Sequence, residues 1–87
     1  MEVWPNPADG IVDCQLLVPA KAGIDCQSII LKVFDLYGKE IRMLMDEVKS
    51  PGEYTARMDV STLPAGVYLV RLQAGGQAET VKLVVMR

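Results

Sequence analysis

The sequence predicts an all-β chain folded as an antiparallel sandwich of about seven short strands. Three observations predict it. Apolar residues recur at period two along most of the chain, turn-forming clusters separate those runs at roughly 8–12 residue spacing, and helical periodicity is almost absent.

Residues 1–10 carry Pro5-Asn6-Pro7 and Asp9-Gly10 and read as a stiff linker into a domain spanning 11–87, with Trp4 folded back on the core. A proline-rich recognition motif with an aromatic contact is the weaker reading of "WPNP". In "IVDCQLLV", Asp13 and Gln15 mark the outer face, so Val12, Cys14, Leu16 and Val18 point inward. In "IILKVFD", Lys32 marks the outer set and Ile29, Leu31 and Val33 face a core. "EIRMLMDEVK", Glu40 to Lys49, fits a short helix or a strand; its place directly after a tight turn favours a strand through about Met45. In "GEYTARMDV", Tyr54, Ala56 and Met58 share one face. In "VYLVRLQ", Tyr68, Val70 and Leu72 go in, and in "ETVKLVVM", Val81, Leu83 and Val85 do.

The turns follow from their chemistry. In "DLYG" the Asp35 carboxylate is set to bond the backbone two residues on, and Gly38 supplies the positive φ that closes a bulged hairpin. Asp59 caps the turn that follows it, Pro64 and Gly66 launch the next strand, and Gly75-Gly76 joins the last two. An immunoglobulin-like arrangement accommodates this count and spacing of strands.

The chain of 87 residues is long enough for one domain. Its net charge is −2 with interspersed signs, so it presents no basic stripe for nucleic acid or anionic membrane. The apolar runs are far shorter than the roughly 18–20 residues of a membrane helix. No secretory signal follows Met1-Glu2, and the direct opening into "VWPNPADG" leads us to expect a terminal domain cut from a longer protein.

No function class based on catalysis fits well. The chain has no histidine, which removes Ser-His and Cys-His dyads and the usual zinc sites. Its acidic residues fall on outward positions or in turns, so no catalytic residue and no cofactor is expected. Asp9, Asp13, Asp25 and Asp35 do not form a D-x-D-x-D-G calcium loop. Cys14 and Cys26 could bridge if the loop between them centres near Ala20; otherwise Cys14 is a buried thiol and Cys26 an unrelated one. "LPAG" lacks the Thr, the span and the basic tail of a cell-wall sorting site. The alternating terminal strand, "TVKLVVMR", could add to a partner's sheet or pair with a second copy as a homodimer.

The order of four motifs adds what physics alone does not. "VWPNPADG", "LKVFDLYGKEI", "GEYTARMDVSTLPAGVYLVRL" and "ETVKLVVMR" together resemble the C-terminal sorting domain of type IX secretion system cargo, nearly end to end. The first is similar to an aromatic-Pro-Asn-Pro opening, the second to a strand, Asp-x-x-Gly-basic turn, strand unit. The third is similar to a Gly-x-Tyr, Asp-x-Ser, Leu-Pro-x-Gly-Val-Tyr block and the fourth to a closing Lys-containing strand. Trp4 stands where Tyr or Phe is commoner, Met58 where an aromatic often sits, and the cysteines are not part of the pattern.

The resemblance implies a folded address that carries its parent cargo across the outer membrane and is then removed by a surface sortase. The cargo would lie upstream behind its own signal peptide, pass through the periplasm, and end at the cell surface or outside the cell. Recognition by the translocon would fall on Gly66, Val67 and Tyr68 and on Lys82, Leu83, Val84, Val85, Met86 and Arg87. The rival reading is a structural or adhesive immunoglobulin-like module of the flagellar hook-cap kind. That kind normally carries Trp-Asp-Gly and a longer insertion, and "MDVSTLPAGVY" has neither. A carbohydrate-binding sandwich would want a row of exposed aromatics, for which only Trp4, Phe34 and Tyr37 are candidates.

Overall fold

Alternation sorts the chain into seven strands, and the computed structural model, which describes residues 1–6, 8–20, 22–23 and 25–86, shows how they pair. They are β1 (Glu2–Trp4), β2 (Ile11–Val18), β3 (Gln27–Asp35), β4 (Glu40–Lys49), β5 (Gly52–Asp59), β6 (Gly66–Ala74) and β7 (Gln77–Val85). One sheet has the order β1-β2-β5 and the other β4-β3-β6-β7, with every pairing between them antiparallel. The all-β sandwich expected from the sequence is therefore the fold.

The core lies between the two sheets. Val12, Cys14, Leu16 and Val18 of β2 and Ala56 and Met58 of β5 face Ile29, Leu31 and Val33 of β3, Tyr68, Val70 and Leu72 of β6, and Leu83 and Val85 of β7. These are the inward sets that the alternation assigns; Tyr54 and Val81 lie at their margins, half-buried. Each fully buried Val, Leu or Ile contributes about 1.5–3 kcal/mol relative to exposure, which is how so small a domain offsets its ordering entropy. Gln27, the one buried polar side chain among the described residues, donates from Nε2 to the Pro19 carbonyl at 2.8 Å. The bond ties the first residue of β3 to the end of β2 and satisfies a group that would otherwise be costly to bury.

Three features differ from the sequence expectation. First, residues 1–10 are not only a lead-in: β1 pairs with β2, placing Val3 opposite Cys14 in the core. Second, Val3 points in, so by period two Trp4 points out, and it is 41% exposed instead of folded on the core. Third, β4 runs to Lys49 and not to Met45. Its register against β3 shifts at Leu31/Lys32 and at Val33/Phe34, leaving Leu44 and Ile41 as extra residues of two bulges. The bulges bring Ile41, Leu44 and Met45 together against the core, a spacing that in sequence mimics a helix face.

Of the two readings left open for the cysteines, the unbridged one holds: Cys14 and Cys26 do not form a disulfide. The segment between them carries the chain from one sheet to the other, so β2 and β3 are not a hairpin and the two residues never face each other. Both thiols are free, Cys14 buried and Cys26 exposed.

Candidate recognition surface

The terminal strand β7 is an edge of its sheet, and an edge presents unpaired backbone groups to any passing strand. Here half of that edge is already occupied. Asn6 Nδ2 donates to the Lys82 carbonyl at 2.7 Å, and Asn6 Oδ1 accepts from the Val84 N–H at 3.0 Å. The Asn6 side-chain amide thus does what one peptide unit of a neighbouring strand would do. Ala8 continues the pairing with real backbone: its N–H donates to the Val84 carbonyl and its carbonyl accepts from the Met86 N–H, each at 2.8 Å. Ala8 is itself buried, bridged in parallel to Val85. The lead-in segment therefore covers β7 from Lys82 to Met86 and leaves its Ala78 and Thr80 end open. A Pro-flanked Asn just ahead of a small residue is the sequence signal for this clamp, and sequence reasoning passed over it. Pro7, part of the same motif, lies outside the described residues.

The opposite seam, between β4 and β5, is closed differently. Arg42 reaches from β4 to the end of β5, donating through Nη1 to the Asp59 carbonyl and through Nη2 to Thr62 Oγ1 at 2.8 Å. The bulges and the charges of β4 further blunt its outer edge.

The turns behave as their residues dictate. Asp35 Oδ1 accepts from the N–H groups of Tyr37 and Lys39, both at 2.9 Å, and Gly38 has φ +85°. Asp59 Oδ1 accepts from the Ser61 N–H at 2.8 Å. Two short stretches, "SPGEY" and "PAGVY", then make the same structure twice. Tyr54 donates its hydroxyl to the Ser50 carbonyl and Tyr68 to the Pro64 carbonyl, each at 2.6 Å and each four residues back. The glycine two residues before each tyrosine has φ +154° (Gly52) or +158° (Gly66), which side chains rarely adopt. The strand can therefore leave the turn sharply enough for the ring to fold back, much as the tyrosine corner of immunoglobulin-like domains does.

The residues expected to meet a translocon separate into two sets. Tyr68, Leu83 and Val85 are buried in the core; Gly66, Lys82 and Met86 are exposed, and Val67 and Val84 are half-buried. Val67 and Val84 are register partners on the outer face of the four-stranded sheet, and Lys82 neighbours them there opposite Leu69. Arg87 lies outside the described residues. The three candidate aromatics do not form a row: Trp4 is on the outer face of the three-stranded sheet, Phe34 on that of the four-stranded sheet, and Tyr37 in the β3–β4 turn.

No group of three His, Cys, Asp or Glu side chains among the described residues is placed to hold a metal ion. The hollows are open and shallow; one of ≈ 400 Å³ lies at one end of the sandwich between Leu17, Leu72 and Glu79. Burial pushes the Cys14 thiol up to about 11, with the neighbouring Asp13 charge adding to the shift, so it packs as a neutral apolar group.

Two antiparallel sheets with clamped edges and side-chain-held turns define a small immunoglobulin-like sandwich. The chain belongs to the family of secretion system C-terminal sorting domains of the type IX pathway, whose family model matches residues 2–86. No curated protein matches it. Family membership implies export across the outer membrane, to the cell surface or the extracellular space, through the type IX machinery and on behalf of a cargo domain upstream.

Proposed function

We infer that the domain is read as a folded unit by the outer-membrane translocon of the type IX system and is afterwards removed from its cargo by a surface sortase. The observation that carries the reading is the family match over essentially the whole chain, residues 2–86. It is supported by what the motif residues do. Asn6 clamps the terminal strand, Asp35 and Asp59 hold turns, and Tyr54 and Tyr68 lock two strand starts. Residues that recur as a signature because they build a fold suit a machine that reads the fold. The cargo enters the periplasm by its own N-terminal signal, folds together with this label, and crosses the outer membrane with it. The domain supplies no catalytic group.

The test is a fusion of a signal peptide, a reporter protein and residues 1–87 in a bacterium that has this pathway. Reporter on the surface or in the medium, with the label cleaved from it, is the expected result. Retention of a folded fusion in the periplasm overturns the reading. Surface reporter with the label still attached overturns the sortase step alone.

A further inference from the structure

The outer face of the four-stranded sheet breaks a rule of strand pairing. Lys32 on β3 and Arg71 on β6 are register partners with both side chains outward, so two cations stand directly opposite each other. Lys82 on β7 is one position diagonal to Arg71, whose direct partner is Thr80. Like charges across a strand pair destabilise it. Only Lys32 has a counter-ion, Glu40 at 2.7 Å, while the Arg71 and Lys82 side chains have no acidic partner among the described residues. The floor between the cations is apolar: Ile30, Phe34 and Leu69 are half-buried. Two shallow depressions of ≈ 350 and ≈ 170 Å³ meet there, sharing Phe34 and Arg71 in their linings.

The rest of the surface has the opposite sign. The outer face of the three-stranded sheet carries Glu2, Asp13, Glu53 and Asp59 against a single cation, Arg57, which is paired with Asp13 at 3.0 Å. The chain as a whole is at −2. A broad anionic surface, such as a lipid headgroup layer, would attract one face and repel the remainder of the domain. A protein surface with a few carboxylates set among apolar side chains matches both the cations and the floor between them.

We propose that the outer face of the four-stranded sheet, centred on Arg71 and Lys82 over Phe34 and Leu69, docks an acidic, partly apolar protein surface of the export machinery. This rests on the secretion-label reading and names the part of the label that is read. A local contradiction in strand pairing, in which Glu40 neutralises only Lys32, is resolved when the partner supplies carboxylates to the other two cations. The guanidinium of Arg71 suits bidentate pairing with one of them, and Lys82 supplies a second point of contact.

The test compares three fusions of signal peptide, reporter and residues 1–87: the parent, R71E/K82E, and E2K/E53K as a control of equal and opposite charge change on the other face. Thermal melting of each purified domain accompanies the export assay. R71E/K82E should melt within a few degrees of the parent, because Arg71→Glu converts the Lys32 repulsion into attraction. Its exported fraction should fall about tenfold or more. E2K/E53K should export like the parent. Parental export by a folded R71E/K82E overturns the proposal, as does an equal loss in E2K/E53K; failure of the parent itself to export overturns the underlying secretion reading instead. A vesicle arm separates lipid from protein. If the parent domain binds vesicles of anionic lipid and R71E/K82E does not, the face reads a membrane and the protein-partner proposal is overturned; equal absence of binding by both supports it.

Discussion

Replacing Asn6 by Ala should uncover the edge of the terminal strand. The change deletes two hydrogen bonds, to the Lys82 carbonyl at 2.7 Å and from the Val84 N–H at 3.0 Å. Each is worth about 0.5–1.5 kcal/mol net. Both lie at the exposed edge, where water re-solvates the freed groups, so the expected loss is about 1–2 kcal/mol and not the larger penalty of a buried orphan. For a domain of this size that corresponds to a fall in melting temperature of roughly 5–10 °C. Hydrogen exchange at the Val84 amide should quicken about 5- to 30-fold where it proceeds by local opening. Asn6→Asp makes the sharper control. It keeps the acceptor for Val84 but faces the Lys82 carbonyl with a second acceptor, so it should recover at most the Val84 half of the effect. The freed edge should also raise self-association, read by light scattering after size-exclusion chromatography. Parental Val84 exchange and an unchanged melt in Asn6→Ala would show that the clamp does not hold the edge.

Two further outcomes follow from buried groups. Tyr68→Phe leaves the Pro64 carbonyl without its 2.6 Å donor in a nearly closed environment and should cost about 1–2 kcal/mol by urea unfolding. Tyr54→Phe, at a more exposed corner, should cost less; the reverse order would contradict the burial argument. The Cys14 thiol, ordinarily 9.0 and pushed up to about 11 in the fold, favours the neutral form there. Its contribution to stability is therefore whole below pH 9 and is lost as pH rises through 11, by up to about 2–3 kcal/mol, because the unfolded chain releases its proton first. The difference in urea midpoint between the parent and Cys14→Ala should shrink over that range, and a constant difference would contradict it.

The strands with one wet face were legible because each carries a charged or amide side chain that orients the alternation: Asp13 and Gln15 in β2, Lys32 in β3, Arg71 and Gln73 in β6, Lys82 in β7. The turns were legible because Asp35, Gly38 and Asp59 act within a few residues of themselves. What the sequence concealed depends on partners distant along the chain. The two bulges of β4 exist only against β3, and they put Ile41, Leu44 and Met45 at a spacing that looks helical. Asn6 finds its partners 76 and 78 residues away. The distance between Cys14 and Cys26 was set by a sheet-to-sheet crossing that no local pattern announces. The proposed docking face is only half visible in the sequence: Val67, Lys82 and Val84 fall within the linear string that the resemblance marks, while Arg71 and Lys32 join them only once the strands are paired.

That the label is read as a folded object, and not as a string of motif residues, can be measured with graded core substitutions at positions outside every motif. In the reporter fusion, Ile29→Val, Leu16→Ala and Val12→Asp remove a methyl, remove most of a side chain, and bury a charge at three buried core positions. The expected losses are about 1 kcal/mol, about 2–5 kcal/mol and complete unfolding. Exported reporter should follow the folded fraction measured on each purified domain and vanish for Val12→Asp, although all four motifs remain intact. Parental export from an unfolded Val12→Asp fusion would contradict it and make the signal a linear one.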